Sequence, residues 1–334
     1  MSQPVNLIMA MMNGLQPAIR MRRAIWGPRR PSWTLELETV AEVMRRTANL
    51  STVLPVRMQR KVISQRPPTP PVLETDMRHV NAGGVPAEWF SVPDSDPDRV
   101  FLYFHGGGYA IGCINSHRDL LARLCIASGM RVLAVDYRLA PEHPFPAQLD
   151  DARAVYRWLV HRQGIAPERI VVGGESAGAG LTLAALCSLR DHGTPLPAAG
   201  VLLSGWFDLS ARSMSMQMNR AYDFVTHRGV RAMAKRYAPS DEHRNPLVSP
   251  IHADLSALPP LLIQVGAAET LLDDSVRVAD GARRAGTDVS LEVWPDMIHA
   301  WHLLAPIVEE GRRAIARIGE FAHEATAPAI ARSA

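Results

Sequence analysis

A serine between glycines, where an apolar run meets a run of small residues, most constrains how this chain can fold. Residues 170–172 are Ile-Val-Val and predict a short buried strand, which leads into Gly-Glu-Ser-Ala-Gly at 174–178. The Ala- and Leu-rich stretch from about residue 179 to residue 190 predicts a helix. A sharp turn between strand and helix strains the central residue and requires small neighbours. The pattern therefore predicts that the Ser176 hydroxyl is exposed at one end of a sheet, beside free N–H groups of a helix N-terminus.

Whether this motif is catalytic depends on the residues that could act with Ser176, because a plain glycine-rich loop has the same composition. A serine hydroxyl becomes a nucleophile only when a base lies within hydrogen-bond reach and a further group fixes the tautomer of that base. His299 lies in the loop directly after a predicted strand at 289–294, and it is the predicted base. His302, in the following turn, is the alternative.

An acidic residue after the preceding apolar run, at 261–265, is the predicted partner of the base. Glu269 is closest to the end of that run, and Asp273 and Asp274 are the alternatives. The two aspartates begin a predicted helix, where a carboxylate is explained by the helix dipole alone. Because the carboxyl ends of parallel strands meet at one edge of a sheet, we expect Glu269 and His299 to lie near Ser176.

Three consecutive glycines follow a predicted buried strand at 99–104, in the sequence His-Gly-Gly-Gly at 105–108. Glycine lets a backbone approach a substrate closely, and preorganised N–H groups stabilise a developing oxyanion. The predicted oxyanion donors are the backbone N–H groups of Gly107, Gly108 and Ala177. Gly106 is expected to shape this loop, and His105 to orient it by hydrogen bonds rather than to act as a base.

Large apolar side chains near these motifs are candidates for a substrate pocket, because methionine and aromatic residues adapt to varied apolar shapes. The candidates are Tyr109, Trp206, Met214, Met218 and Trp301. The alternative is that they belong to an ordinary core.

The order of the predicted elements indicates the domain organisation. Apolar strands alternate with helices from residue 71 onward, which predicts an α/β fold with a mostly parallel sheet covered on both faces. Helical patterns at about 7–25 and 33–48 and a proline-rich linker at 67–71 set the N-terminal part aside. An N-terminal helical cap segment is predicted at 1–70 and an inserted cap segment at 210–245. The α/β core is predicted in two parts, at 71–209 and 246–334.

Composition excludes several classes of protein. The chain has 334 residues and a net charge of +3, and its one basic cluster, at residues 20–30, is more typical of a solvated arm than of a nucleic-acid site. Its three cysteines are far apart, so neither a disulfide framework nor a zinc site is expected. No apolar run is long enough to span a membrane, and no signal peptide is evident. We therefore expect a soluble, cytoplasmic protein.

Taken together, the motifs resemble the hormone-sensitive-lipase-like branch of the α/β-hydrolases, the bacterial family IV esterases, over roughly residues 75–325. The resemblance rests on the motifs above together with Tyr-Arg-Leu-Ala-Pro-Glu at 137–142, Asn-Pro-Leu-Val-Ser-Pro at 245–250 and Leu-Pro-Pro at 258–260. It implies an α/β-hydrolase fold, with a mostly parallel eight-stranded sheet, helices on both faces and a helical cap. It also implies hydrolysis of carboxylic esters with short to medium acyl chains, without a cofactor or a metal.

The chain departs from the family pattern at two positions. The family's usual acid is an aspartate at the position of Glu269, and Glu175 stands where an aspartate is common. We expect Glu175 to support the site rather than to act in catalysis. A lactone, amide or carbamate substrate, or a receptor that binds a small ligand without catalysis, are the alternatives that the sequence leaves open. A homodimer is compatible with the sequence, but no residue identifies its interface.

Overall fold

A computed structural model describes residues 3–51, 54–64 and 75–327 of the chain. Its strands are β1 (Asp76–Ala82), β2 (Val85–Ser91), β3 (Asp96–Phe104), β4 (Met130–Val135), β5 (Ile170–Glu175), β6 (Ala199–Leu203), β7 (Leu261–Gly266) and β8 (Val289–Trp294). The α-helices within those residues are α1 (Gln3–Trp26), α2 (Leu35–Ser51), α3 (Val56–Ser64), α4 (Ile114–Ser128), α5 (Ala147–His161), α6 (Ala177–Asp191), α7 (Ser215–Met218), α8 (His227–Tyr237), α9 (Leu272–Arg284) and α10 (Glu309–Ala325).

All eight strands form one sheet in the order β1-β2-β4-β3-β5-β6-β7-β8. Strand β2 is antiparallel to both of its neighbours, and every pairing from β4 to β8 is parallel. Strands β5, β6 and β7 are buried along their whole length, as expected for parallel strands covered on both faces. The predicted α/β-hydrolase fold with a mostly parallel, eight-stranded sheet is therefore confirmed.

Helices cover both faces of the sheet, and strand β3 shows how. Its residues Val100, Leu102 and Phe104 belong to one core cluster with α5 and α6. The alternate residues Phe101 and Tyr103 pack on the other face, with α4 and α10. Because successive side chains of a strand point to opposite faces, one continuously apolar strand serves both cores.

The N-terminal residues form helices that pack against the end of the sheet. Helices α1 and α2 were expected from the sequence, whereas α3 was not. Trp33 and Leu37 share a core cluster with Met297, Ile298 and Trp301, so this segment lies against the loop after β8. The proline-rich run at 67–71 lies outside the described residues, and the domain boundaries remain a prediction.

The stretch at 210–245, predicted to be inserted, contains α7 and α8 and connects β6 to β7. The ring of Tyr237, at the end of α8, stacks on the ring of Tyr109 with centroids 3.7 Å apart. Helix α8 therefore lies against the loop that follows β3. None of the helices in the part of the chain that the structure describes has the length and apolar character to cross a bilayer.

Candidate active site

Ser176 stands at the turn between β5 and α6, in a backbone conformation with φ 57° and ψ −120°. A positive φ is strained for a residue with a side chain, so the surrounding contacts must hold it there. Its N–H donates to the carbonyl of Leu203 at 2.8 Å, and its carbonyl accepts from Trp206 N–H at 3.0 Å. Between residues 170 and 189, Ser176 alone is not fully buried. The turn thus presents this one side chain to solvent.

Gly178 shows why the turn needs small residues. A Cβ atom at this position would lie 2.0 Å from the carbonyl oxygen of Phe104 at the end of β3. Phe104 pairs in register with Gly174, so the chain after β3 runs directly beside the serine turn. The glycines of the motif therefore allow two loops to approach as closely as the site requires.

The glycine loop after β3 supplies backbone donors next to Ser176. Gly107 has φ 112°, and a Cβ atom there would lie 2.2 Å from the carbonyl oxygen of Ile111, so only glycine fits. Between residues 101 and 110, Gly107 and Gly108 alone keep partial exposure. Within the described residues, the N–H groups of Gly107, Gly108 and Ala177 donate no hydrogen bond. These three predicted donors are free to bind an anion.

The loops after β7 and β8 bring an acid and a base together. Gly266 pairs with Trp294, so both loops leave the sheet side by side. Glu269 Oε2 lies 3.1 Å from His299 Nδ1, and the carboxylate is completely buried. Its Oε1 accepts hydrogen bonds from Ser204 Oγ and from Gly266 N–H, each at 2.7 Å. These bonds hold the carboxylate against Nδ1, which leaves Nε2 of His299 for a substrate-side proton.

The two alternative acids, Asp273 and Asp274, accept hydrogen bonds from backbone groups away from His299. Asp273 accepts a hydrogen bond from Ser215 N–H at 2.8 Å, where it anchors the start of α7. Asp274 accepts from the N–H groups of Phe207 and Asp208, at 3.0 and 2.9 Å. The structure therefore brings Glu269 to His299, and it leaves both aspartates in structural roles.

Two other histidines near the site, His302 and His105, are buried and have lowered pKa values. His302 Nε2 bonds to Gln264 Oε1 at 2.9 Å, and burial lowers its pKa to about 3. Burial also lowers the pKa of His105 to about 4. The ring of His105 stacks on Tyr137, and its Nδ1 lies 2.7 Å from the carbonyl of Gly106. Neither ring contacts Glu269, whereas Nδ1 of His299 does, so His299 is the base that the geometry favours.

Glu175 lies under the glycine loop. Its Oε1 is 3.2 Å from Nε2 of His117, and a Cβ atom on Gly106 would meet its Oε2 at 1.8 Å. Burial alone would raise the pKa of Glu175, but the hydrogen bond to His117 and the electrostatic influence of His117, His299 and His105 more than offset this and lower the pKa. A buried carboxylate held against His117 beneath Gly106 fits the supporting role expected from the sequence.

The predicted pocket residues lie in different places. Tyr109 and Trp206 are buried beside each other, with ring centroids 5.9 Å apart. Trp301 is fully buried in the cluster under α2, where it packs on Trp294, so the structure places it in a core. Met214 and Met218 are 73% and 69% exposed, and neither lies in an enclosed pocket.

Several residues at the site carry no sequence motif. Ser204 has φ 48°, donates to Glu269 and accepts from Ala300 N–H at 3.0 Å, so it ties the acid to the loop of His299. Its position directly after β6 was a usable signal, because functional residues follow strand ends in such sheets. Met233 of α8 lies close enough to Gly108 that a Cβ atom there would be 2.7 Å from its Cγ. No set of three His, Cys, Asp or Glu residues in the described ranges is arranged to hold a metal ion.

Comparisons with known proteins agree with the fold described above. A family model described as the α/β hydrolase fold matches residues 101–303. An acetyl-hydrolase of Streptomyces hygroscopicus is 48% identical over 248 residues, which are 74% of this chain and 82% of that protein. An esterase of Acinetobacter venetianus is 36% identical over 248 residues, covering 74% of this chain and 81% of the esterase. The crystal structure of an esterase from the bacterial hormone-sensitive lipase family superposes with a TM-score of 0.83 at 44% identity, covering 89% of this chain and 100% of that one.

Proposed function

Since this chain belongs to the bacterial hormone-sensitive-lipase-like branch of the α/β-hydrolases and is a carboxylesterase, we propose that Ser176, His299 and Glu269 carry out its chemistry on short to medium acyl esters. The observation that carries the proposal is the 3.1 Å contact between His299 Nδ1 and the buried carboxylate of Glu269. The two loops that carry this pair follow β7 and β8, and parallel pairing from β5 to β8 directs them to the same edge of the sheet as Ser176 in the β5–α6 turn.

The proposed reaction has two halves. Ser176 Oγ attacks the ester carbonyl carbon while His299 Nε2 takes its proton, and the carbonyl oxygen becomes an oxyanion. The tetrahedral intermediate collapses, the carbon–oxygen bond to the alcohol breaks, and His299 returns the proton to the leaving alcohol. A water molecule then attacks the acyl carbon while His299 takes its proton. The bond from that carbon to Ser176 Oγ breaks, His299 returns the proton to Oγ, and the acid is released.

The N–H groups of Gly107, Gly108 and Ala177 stabilise the oxyanion in both halves. Loss of one such donor typically raises the barrier by about 3 kcal/mol. The positive φ of the two glycines fixes the direction of these donors before substrate arrives. Glu269 fixes the tautomer of His299 and stabilises its cation when the proton is transferred.

The cap supports a preference for short acyl chains. Met233 lies against Gly108, and Tyr237 stacks on Tyr109, so α8 covers the donor loop closely. A relative named an acetyl-hydrolase agrees with a small acyl group. A close cover of this kind excludes long chains by volume rather than by chemistry.

A series of p-nitrophenyl esters from acetate to palmitate tests the activity and the chain length together. We expect kcat/KM to be highest between acetate and octanoate and roughly tenfold or more lower for palmitate, because the covered site cannot hold a long chain. No hydrolysis of any ester by folded protein would contradict the esterase function and would favour a lactone, amide or carbamate substrate, or ligand binding without catalysis. A maximum at palmitate would contradict the chain-length proposal alone.

The pH dependence tests the base. Burial lowers the pKa of His299, but the hydrogen bond and charge of Glu269, with the charges of Asp223 and Glu175, more than offset this and raise the pKa above 6.5. Only the neutral imidazole accepts a proton, so kcat/KM should fall on the acid side with a midpoint above pH 6.5. In Glu269→Gln the effect of burial remains and the carboxylate is lost, so the midpoint should move to lower pH. An unchanged midpoint would contradict the assignment of Glu269.

We also propose a cytoplasmic location. Cys113, Cys125 and Cys187 are free, and the last two are buried, which agrees with a reducing compartment. Recovery of the protein outside the cytoplasm on cell fractionation would contradict this.

A further inference from the structure

A buried carboxylate of the inserted segment joins the acid loop to the base loop. Asp223 has no exposed surface. Its Oδ2 accepts hydrogen bonds from Thr270 N–H at 2.8 Å and from Thr270 Oγ1 at 3.0 Å. Its Oδ1 accepts from His299 N–H at 3.2 Å and from Phe224 N–H at 2.8 Å. Because Thr270 directly follows Glu269, one side chain connects the backbones of both predicted triad partners.

A second side chain of the same segment also contacts the acid loop. Asn219 Nδ2 donates to the carbonyl oxygens of Glu269, at 2.7 Å, and Ala267, at 3.1 Å. Its Oδ1 accepts from Arg30 of the N-terminal segment at 3.2 Å, and the Arg30 guanidinium lies 3.9 Å from the ring centroid of Tyr222. The short stretch 219–223 is therefore held by the N-terminal segment on one side and holds the acid loop on the other.

The cost of burying Asp223 indicates a role beyond packing. Its hydrogen-bond partners are N–H and O–H groups of Thr270, His299 and Phe224, none of which is a lysine or arginine. A buried carboxylate with no lysine or arginine bound to it is unfavourable, and an apolar side chain would fill the same space at lower cost. What an apolar side chain cannot do is fix two loops through charge-assisted hydrogen bonds.

We propose that Asp223 is a positioning residue for the ester hydrolysis described above, and that residues 219–223 form a clamp through which the cap aligns His299 with Glu269. The clamp sets the distance between the two loops, so His299 Nδ1 remains opposite Glu269 Oε2. The inference rests on the proposed function, since it assigns the clamp to the same catalytic pair.

The isosteric variant Asp223→Asn tests the clamp. The asparagine side chain has the same volume as the aspartate but no charge. Its NH₂ group replaces one carboxylate oxygen and cannot accept a hydrogen bond, so the contact to one of the two loops is lost. We expect kcat on p-nitrophenyl butyrate to fall about 10- to 100-fold, as for small misplacements of catalytic groups, with KM changed less than about threefold. Titration with a serine-reactive organophosphonate gives the active fraction, so that kcat is expressed per active site.

The pH profile separates alignment from mere stability. His299 faces the carboxylates of Glu269, Asp223 and Glu175, and His302 lies nearby. Removing the Asp223 charge should therefore move the acid midpoint of kcat/KM to lower pH, which a fold defect alone would not do. Asp241→Asn, at an exposed aspartate of the same inserted segment, is the matched control and should leave kcat and the midpoint unchanged.

These experiments test the clamp separately from the esterase function. A folded Asp223→Asn protein with parental kcat per active site and an unchanged midpoint would overturn the clamp while the parent remains an esterase. A parent that hydrolyses no ester would instead overturn the proposed function. If Asp223→Asn does not fold, Thr270→Val decides, because it removes only the Oγ1 bond to Asp223 and a bond to Val225. A severalfold fall of its kcat would support the clamp, and an unchanged kcat would overturn it.

Discussion

Ser176→Ala is expected to reduce kcat on p-nitrophenyl butyrate by about 10⁵-fold or more, as removal of the nucleophile does in other serine hydrolases. Without Oγ no acyl-enzyme forms, and water must attack the bound ester directly. The N–H groups of Gly107, Gly108 and Ala177 remain, so a residual rate above the uncatalysed one should persist. KM should change little, because the hydroxyl contributes little to ground-state binding.

The stability of this variant should stay close to that of the parent. Within the described residues, the contacts that hold the turn are made by backbone groups of Ser176, which alanine also supplies. Ser188→Ala is a matched control, since this serine lies on the same helix α6, is buried and has no hydrogen bond from Oγ in the described part of the chain. It should retain full activity. A Ser176→Ala protein with more than about one per cent of parental kcat would contradict the role of Ser176.

Glu269→Gln should lower kcat by about 10³- to 10⁴-fold, the range found when the acid of such a triad becomes an amide. The amide oxygen can still accept from Ser204 and Gly266, so the fold should persist. The loss arises because a neutral partner neither stabilises the His299 cation nor fixes its tautomer. Initial rates with p-nitrophenyl butyrate, compared at each variant's optimal pH, measure the effect.

Asp273→Asn is the matched control for Glu269→Gln. Its carboxylate bonds to Ser215 at the start of α7 and does not contact His299. We expect kcat within about threefold of the parent and a loss of about 1 kcal/mol in the free energy of unfolding, the typical value of one hydrogen bond. A larger kcat loss for Asp273→Asn than for Glu269→Gln would show that Asp273 is the acid.

The parts of the site that follow strand ends could be predicted from the sequence. Ser176, Glu269 and His299 each stand shortly after a predicted strand, and parallel pairing places such positions at one edge of the sheet. The glycines could also be predicted, because few structures other than a close backbone approach require three in succession. These inferences depend only on local pattern and on one rule of topology.

The parts of the site that depend on long-range packing could not be predicted. Asp223 is 47 positions from Thr270 and 76 from His299, and it lies in an irregular stretch without a periodic pattern. The exposure of Met214 and Met218 likewise depends on how α7 rests on the core, which composition does not reveal. Helix α4 was not predicted either, although its sequence carries a signal. Its buried residues recur at helical spacing, as Leu120, Leu121, Leu124 and Cys125 show.

The most direct test of the account is mass spectrometry of the protein quenched in acid during turnover of p-nitrophenyl butyrate. The mechanism predicts a mass increase of one butyryl group, located after digestion on the peptide that contains Ser176. The adduct should be absent from Ser176→Ala and should accumulate when deacylation is slowed at low pH. A butyryl group on another residue, or rapid turnover with no adduct under any quench condition, would contradict the assignment of Ser176 as the nucleophile.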